Sequence, residues 1–391
     1  MNTIYKPNKR YYIILTFIIV CSFLSYEIYI YNYYSIMQML ISVLLMGVAF
    51  LYYFYESENS YKLLDTQIKN NKEIIFLFLC MVFITALDNI LFDLNNFKSI
   101  LAVFVMVCCL FPAFYIIPLI LNRDKLLLNY VLNLITFMGC FLAGLGIFTY
   151  YFPGVLPYGL ESGRTNSIYF DSNYLAMVLG IVIMLNINKK KIIRTLFVGL
   201  LCFYAIFLTG SRGTMLSIII AFIIYALLFY QADLVKKMLL IISIIIAVLL
   251  ILQYLYKINF FRVYQGSNGR LEMIEESIKE LLDSPFIGYG YQSISSFLIK
   301  EGFNNVSTHN TFVDYAFSFG FFACIVYVMI IAKNYFRGIK NKKDASLMLT
   351  LLFMIFNMNT IVYNLGGVGI GSLLFTIFLG LTGIKSNKMG L

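Results

Sequence analysis

The chain lacks tryptophan altogether, holds one histidine in 391 residues, and carries few charges: 12% of its residues, against 61% hydrophobic. With a mean hydropathy of +0.84, so sparse a charge content excludes a soluble domain of this length. Without tryptophan, any interfacial belt must draw on the 31 tyrosines, and Tyr11, Tyr12, Tyr33 and Tyr34 do flank apolar runs. The seven cysteines (Cys21, Cys80, Cys108, Cys109, Cys140, Cys202 and Cys324) all sit inside apolar runs. Their odd number and their absence from loops argue against disulfides, and no metal-ligand spacing is present. No internal repeat and no low-complexity segment is visible.

What the chain does have is a series of apolar runs of membrane-spanning length. Twelve are readable, at 11–30, 33–55, 74–94, 99–121, 126–151, 171–188, 192–209, 214–231, 236–256, 309–332, 345–364 and 367–383. The gap between the last two is short enough for a re-entrant pair. The first run lacks an A-x-A-like site and leads straight into further spans, unlike a cleaved signal peptide. The expected fold is therefore all-α: a polytopic membrane protein with about 12 transmembrane helices, forming a single transmembrane domain over residues 1–391.

Lysine and arginine set the expected orientation. With the N-terminus inside, 21 of the 29 basic residues fall in cytoplasmic segments, and every inside loop is basic. Both termini are then cytoplasmic, in a cell membrane. The net charge of +10 follows from this asymmetry and from anionic lipid heads, and gives no reason to expect nucleic acid. Eight basic residues remain outside: Lys98, Arg164, Arg212, Lys257, Arg262, Arg270, Lys279 and Lys300.

Residues 257–308 form the one long loop, a large extracytoplasmic segment between spans 9 and 10. Within it, Leu271, Ile274, Ile278, Leu281 and Leu282 recur at helical spacing, opposite Glu272, Glu275, Glu276, Lys279 and Glu280. This predicts an amphipathic helix on the membrane or over a cavity mouth. Asn268 is a suitable N-cap, and Pro285 favours an end by Ser284.

Arginine makes up half of the outside cations but only four of the 21 inside, so it is the selected cation there. Its planar fork grips phosphate oxygens in pairs, which lysine cannot do. Arg212 has the sharpest setting, in Thr209-Gly210-Ser211-Arg212-Gly213. The glycines permit a tight turn and close approach by a ligand, and a helix N-terminus follows at once. Ser211 and Thr209 can cap or add hydrogen bonds. A plain hairpin with a snorkelling arginine is the simpler alternative, but three anion-favouring features converge on this turn. Arg164 lies in the loop 152–170 beside Glu161, upstream of Asp171-Ser172-Asn173. Asp171 or Ser172 suits capping of the next span. Arg270 opens the amphipathic helix, where a phosphate would also meet that helix's N-terminus.

His309 falls where the long polar loop ends and an apolar span begins. A lone histidine at such a place is more often a cap or an interfacial residue. A neutral imidazole there is also a ready proton acceptor near neutral pH.

Taken in order, these positions resemble one family. Gly163-Arg164 precedes Asp171-x-Asn173-x-Leu175-Ala176; then come Gly210-Ser211-Arg212-Gly213, Gly269-Arg270, and Pro285-Phe286-Ile287-Gly288-Tyr289-Gly290. His309-Asn310-x9-Gly320 follows, with Ala323 where the ligase pattern has Gly, Thr or Tyr. The order is similar to that of the superfamily of O-antigen ligases and Wzy-type polysaccharide polymerases, over roughly residues 160–325. The resemblance implies glycosyl transfer outside the membrane, with no metal and no cofactor. It implies a polyprenyl-pyrophosphate-linked glycan as donor, a second glycan as acceptor, and a chain-length regulator and a flippase as partners. Arg212 and Arg270 would hold the pyrophosphate and stabilise its charge as it leaves. Arg164, Arg262, Ser211, Asp171, Asn173 and Asn310 would line the substrate site. His309 would take the proton from the acceptor hydroxyl, with Glu161, Asp171 and Asp314 as rival bases. A helix N-terminus and nearby arginines both favour a neutral imidazole.

A composition rich in Ile, Lys, Asn, Tyr and Phe suggests an AT-rich genome, which favours a capsule or exopolysaccharide polymerase over a ligase acting on lipid A core. A lipid-linked sugar flippase would fit the span count equally well. Transporters usually show repeated halves and ionisable groups near the midplane. Here Glu27, Asp88 and Asp93 lie toward outer span ends.

Overall fold

The computed structural model describes residues 9–25, 31–55, 58–91, 97–156, 159–161, 163–187, 191–229, 269–291, 293–303 and 307–384, with isolated positions between 233 and 253. These residues are overwhelmingly helical. The predicted span 236–256, Asn268 and Arg262 lie wholly or mostly outside them.

The chain divides into two compact units. The first comprises Met1–Met138, Met273–Lys343 and Val362–Leu391. It holds α1 (Lys9–Ser25), α2 (Tyr31–Tyr55), α3 (Glu58–Asn70), α4 (Lys72–Leu91), α5 (Phe97–Phe111), α6 (Ile117–Arg123) and the start of α7 (Lys125–Tyr151). The second unit comprises Gly139–Glu272 and Asp344–Ile361. It holds the rest of α7, a two-stranded ladder (β1, Leu160–Glu161; β2, Arg164–Thr165), α8 (Ser172–Leu185), α9 (Ile192–Thr209) and α10 (Arg212–Phe229). Helix α11 (Arg270–Leu281) begins in the second unit and runs into the first, where α12 (Ser293–Lys300) and α13 (Thr311–Lys340) follow. Helix α14 (Ala345–Asn357) returns to the second unit, and α15 (Ile370–Gly383) closes the first.

Four helices are long and apolar enough to cross a membrane: Ser99–Arg123, Lys125–Tyr151, Ile192–Thr209 and Thr311–Lys340. A fifth is added if the bent pair Tyr61–Asn70 and Lys72–Leu87 is one span. The chain is a multi-pass membrane protein, but helix length accounts for four or five spans among the described residues, where the apolar runs suggest about twelve. The difference lies in the shorter apolar helices, α8, α14 and α15 among them. Each starts or stops at a polar residue or a turn that an apolar count ignores. Asp171 caps α8 by accepting from the Asn173 N–H at 2.8 Å, and Asn186 closes it. Asp344 caps α14 through the Ser346 N–H at 2.9 Å. The 14 residues of α8 rise about 21 Å, short of a bilayer's ~30 Å hydrocarbon core.

Prolines shape the span read at 99–121. Between α5 and α6 the chain forms one π-helical turn, Pro112–Ile116, with Pro118 following in α6. Proline lacks the N–H that would continue the α-ladder, so the wider turn absorbs the mismatch. In the same unit, Tyr115 Oη donates to the Asn71 carbonyl at 2.8 Å.

The predicted amphipathic helix forms as α11, but its buried face is not the predicted one. Met273, Ser277 and Leu281 are buried, whereas Leu271, Ile278 and Leu282 are exposed. Met273 and Leu281 join Ile294, Leu298, Ala316 and Phe317 in a core shared by α11, α12 and α13. The buried face is thus rotated from the stripe seen in the sequence toward Met273 and Ser277, keeping Leu281 and leaving Leu271, Ile278 and Leu282 on the outer edge.

Candidate active site

The residues singled out in the sequence fall into two groups, one in each unit. In the second unit, α9 ends at Gly210, which takes the left-handed conformation at φ 62°. This conformation is cheap for glycine and turns the chain sharply enough for α10 to begin two residues later. Ser211 is buried and Arg212, the first residue of α10, is exposed. The Ser211 N–H donates to Thr209 Oγ1 at 3.2 Å, and Ser211 Oγ donates to Thr214 Oγ1 at 3.1 Å. The turn is therefore held from below while the guanidinium is carried at the surface, on a helix start whose N–H groups favour an anion.

Arg164 reaches the same turn. Its Nε donates to the Thr209 carbonyl at 2.6 Å and its Nη2 to Asn173 Oδ1 at 3.1 Å. A carbonyl at a helix C-terminus is an orphan acceptor with partial negative charge, so a guanidinium there is stabilising. Asn173 is fixed in turn, its Nδ2 donating to Asp171 Oδ1 at 3.0 Å. Arg164 sits on β2, where it pairs with Glu161 across the ladder. Two hydrogen bonds of Arg164 thus bind protein groups, and it acts at least as a clasp over the Arg212 turn. Asp171, expected as cap or rival base, is the cap of α8 and the anchor of Asn173.

Arg270 opens α11 and is half-buried. Burial lowers its guanidinium pKa, Asp171 opposes that shift and Arg212 adds to it. Asp171, Arg212 and Arg270 therefore lie within electrostatic reach of one another. Two arginines within electrostatic reach of each other, with one carboxylate also in reach, make a cationic patch suited to a multivalent anion. Arginine stays charged across the physiological range, so the patch does not depend on pH.

In the first unit, His309 stands just before α13. Asn310, not His309, is the N-cap: its Oδ1 accepts from the Phe312 and Val313 N–H groups at 3.0 and 3.2 Å. His309 itself adopts φ 59°, uncommon for a residue with a side chain. Neighbours enforce that conformation. The His309 N–H donates to Ser307 Oγ at 3.2 Å. Asp314, buried at 6% exposure, accepts from the Thr308 N–H at 3.0 Å and from Thr308 Oγ1 at 2.5 Å. An imposed left-handed residue outside glycine marks a place where structure over-determines the backbone, a frequent property of functional sites.

The glycines of the sequence pattern have a common explanation in this unit. Helix α13 breaks at Gly320, which takes φ 78° and ψ 166°. Such a break orphans backbone groups that hydrocarbon cannot satisfy. The Pro285–Gly290 segment supplies partners: Tyr289 N–H to the Phe317 carbonyl at 2.9 Å, Gly290 N–H to Ser318 at 2.8 Å, and Phe321 N–H to the Pro285 carbonyl at 2.8 Å. The approach is so close that a Cβ on Gly288 would lie 2.6 Å from Gly320 N. Tyr289 Oη also donates to the Glu280 carbonyl at 2.8 Å. Burial first, then Glu280 and Asp283, push its phenol up to about 12, so it remains a neutral donor.

Sequence reasoning singled out His309, Asn310, Arg164, Asp171, Asn173, Ser211, Arg212 and Arg270, and the structure draws all but His309 and Asn310 into one group. It missed the Thr308–Asp314 clip and the polar residues of α14 beneath the arginine turn. Asn357 and Thr360 were legible only as polar interruptions in an apolar run. Residues 196–328, roughly a third of the chain, match a family model described as O-antigen ligase. The match takes in Ser211, Arg212, Arg262, Arg270, His309 and Asn310, and supports the O-antigen ligase and Wzy-type superfamily. No curated protein matches the chain.

Proposed function

We propose that the protein is a polysaccharide polymerase, joining polyprenyl-pyrophosphate-linked oligosaccharide repeat units on the outer face of the cytoplasmic membrane. One observation carries the reading: an exposed Arg212 on the first residue of a helix, electrostatically coupled to Arg270 and Asp171, inside the segment that matches the family. The acceptor hydroxyl oxygen attacks the anomeric carbon of the donor. The bond from that carbon to the pyrophosphate oxygen breaks, and polyprenyl pyrophosphate leaves with the bonding electrons. Arg212 and Arg270 stabilise that growing charge, with the α10 N-terminus adding its dipole. His309 accepts the hydroxyl proton. Asn310, Asn173, Ser211, Arg164 and Arg262 complete the substrate site, and a chain-length regulator and a flippase are the expected partners.

Ligation is the second reading, because the matching family model is described as O-antigen ligase. The two differ in acceptor alone: another lipid-linked repeat for a polymerase, a separate lipid-anchored core for a ligase. Arg212→Lys tests the shared part of the chemistry. It keeps the charge and loses the bidentate fork, so transfer falls by about 10²-fold or more, as when an oriented donor to a developing charge is removed. The measurement is polymer yield from a defined lipid-linked repeat at matched protein level. A wild-type yield reduces Arg212 to a topological residue.

A further inference from the structure

Helix α14 has only Ser346 and Thr350 as polar residues before its last residue, Asn357, after which Met358, Asn359 and Thr360 follow. Asn357 has 0% exposure. An amide buried in an apolar helix bundle is costly unless bonded, so its partners show what it serves. Its Nδ2 donates to Thr360 Oγ1 at 3.0 Å and, more weakly, to Thr214 Oγ1 at 3.4 Å. Thr214 is the hydroxyl that also accepts from Ser211 Oγ. Thr360 is held on its own side, its N–H and its Oγ1 donating to the Asn357 carbonyl at 2.9 and 3.0 Å. Gly213 rests directly on Thr360: a Cβ there would lie 2.8 Å from the threonine Cβ. The end of α14 thus touches both neighbours of Arg212, through Gly213 directly and through Thr214 to Ser211.

We propose that Asn357 and Thr360 form a seat that sets the direction of Arg212, making them positioning residues for the anion site. Both lie beyond residues 196–328, outside the segment that matches the family model. The seat fixes the backbone from which the exposed guanidinium projects. Helix dipole and side-chain charge then act on one point only while α10 starts at this register. The consequence for glycan transfer rests on the reading of Arg212 given above, whereas the seating itself does not.

The two are separable by experiment. In a cysteine-free protein carrying Arg212→Cys, in nanodiscs, the rate of thiol modification by a cationic methanethiosulfonate reports the setting of position 212. Asn357→Leu and, independently, the isosteric Thr214→Val change that rate by about fivefold or more, the scale of one lost buried hydrogen bond. Thr350→Val, a buried hydroxyl on the same helix bonded to the Ser346 carbonyl, leaves it unchanged. If Asn357→Leu does not yield a monodisperse protein, Thr214→Val and Thr360→Ser decide. Rates within twofold of the parent for the seat variants overturn the proposal. With Arg212 intact, the same seat variants lower turnover more than they raise the donor KM; in an Arg212→Ala background they add no further loss. Additive losses would also overturn it. Normal transfer by Arg212→Ala alone would refute the functional reading and leave the modification rates to judge the seat.

Discussion

Asp314 turns its carboxylate inward, onto Thr308, and so its chemistry is that of an acceptor. Both bonds use one oxygen, Oδ1, which asparagine retains. Asp314→Asn therefore preserves the clip and most of the transfer activity, whereas Asp314→Ala frees Thr308 and loosens the turn that holds His309 at positive φ. Loss of two hydrogen bonds to a buried group costs about 2–3 kcal/mol of local stability. Initial transfer rates of the two variants, at equal membrane abundance, check this; an inactive Asp314→Asn beside an intact fold would make Asp314 the base. The same inward logic applies to Arg164, whose bond to the Thr209 carbonyl gives a structural account of an arginine that the resemblance placed in the lining of the substrate site.

At the level of elements, the loop after α11 and the break in α13 are one feature, since each satisfies the other's backbone. Gly288→Ala places a methyl group against Gly320 N and the Phe317 carbonyl and is strained at φ 74°. It destabilises the α11–α13 region by about 2–4 kcal/mol, in line with overpacking at a special φ. Lower melting temperature in detergent and faster proteolysis between residues 282 and 303 report it; unchanged melting would mean that the loop yields freely. This pairing shows where the sequence was legible and where it was not. Polar residues at breaks in apolar sequence announced Arg212, Arg270 and His309, because charge in such a chain is rare. The cap Asp171 and the start of α14 after Asp344 were likewise readable from local chemistry. Gly288 and Gly320 could be named but not explained, because their partners are each other's backbones across the stretch of chain from 288 to 320. The buried face of α11 was misplaced for a related reason: periodicity marks an apolar edge without saying whether protein or lipid covers it. Asn357 and Thr360 carried only a weak local signal, and their meaning comes from Gly213 and Thr214 on another helix.

For the whole molecule, fewer helices among the described residues are long enough to span than the apolar runs suggest, because turns such as 358–369 interrupt those runs with only a few polar residues and glycines. Orientation rests on charge rather than helix length. With both termini inside, Gly266→Cys is labelled by an impermeant thiol reagent on intact cells and Asn341→Cys is not, in a background lacking the seven native cysteines. The reverse pattern inverts the topology and removes the anion site from the outer surface. The central claim is that this membrane protein transfers lipid-linked glycan, with arginines holding the leaving pyrophosphate and His309 taking the acceptor's proton. Its most direct test is the product ladder that purified wild-type protein and His309→Ala form from a defined polyprenyl-pyrophosphate-linked repeat unit, with folding verified for both. The account predicts long polymer from the wild type and only single repeats from His309→Ala; polymer of wild-type length and yield from His309→Ala would contradict it.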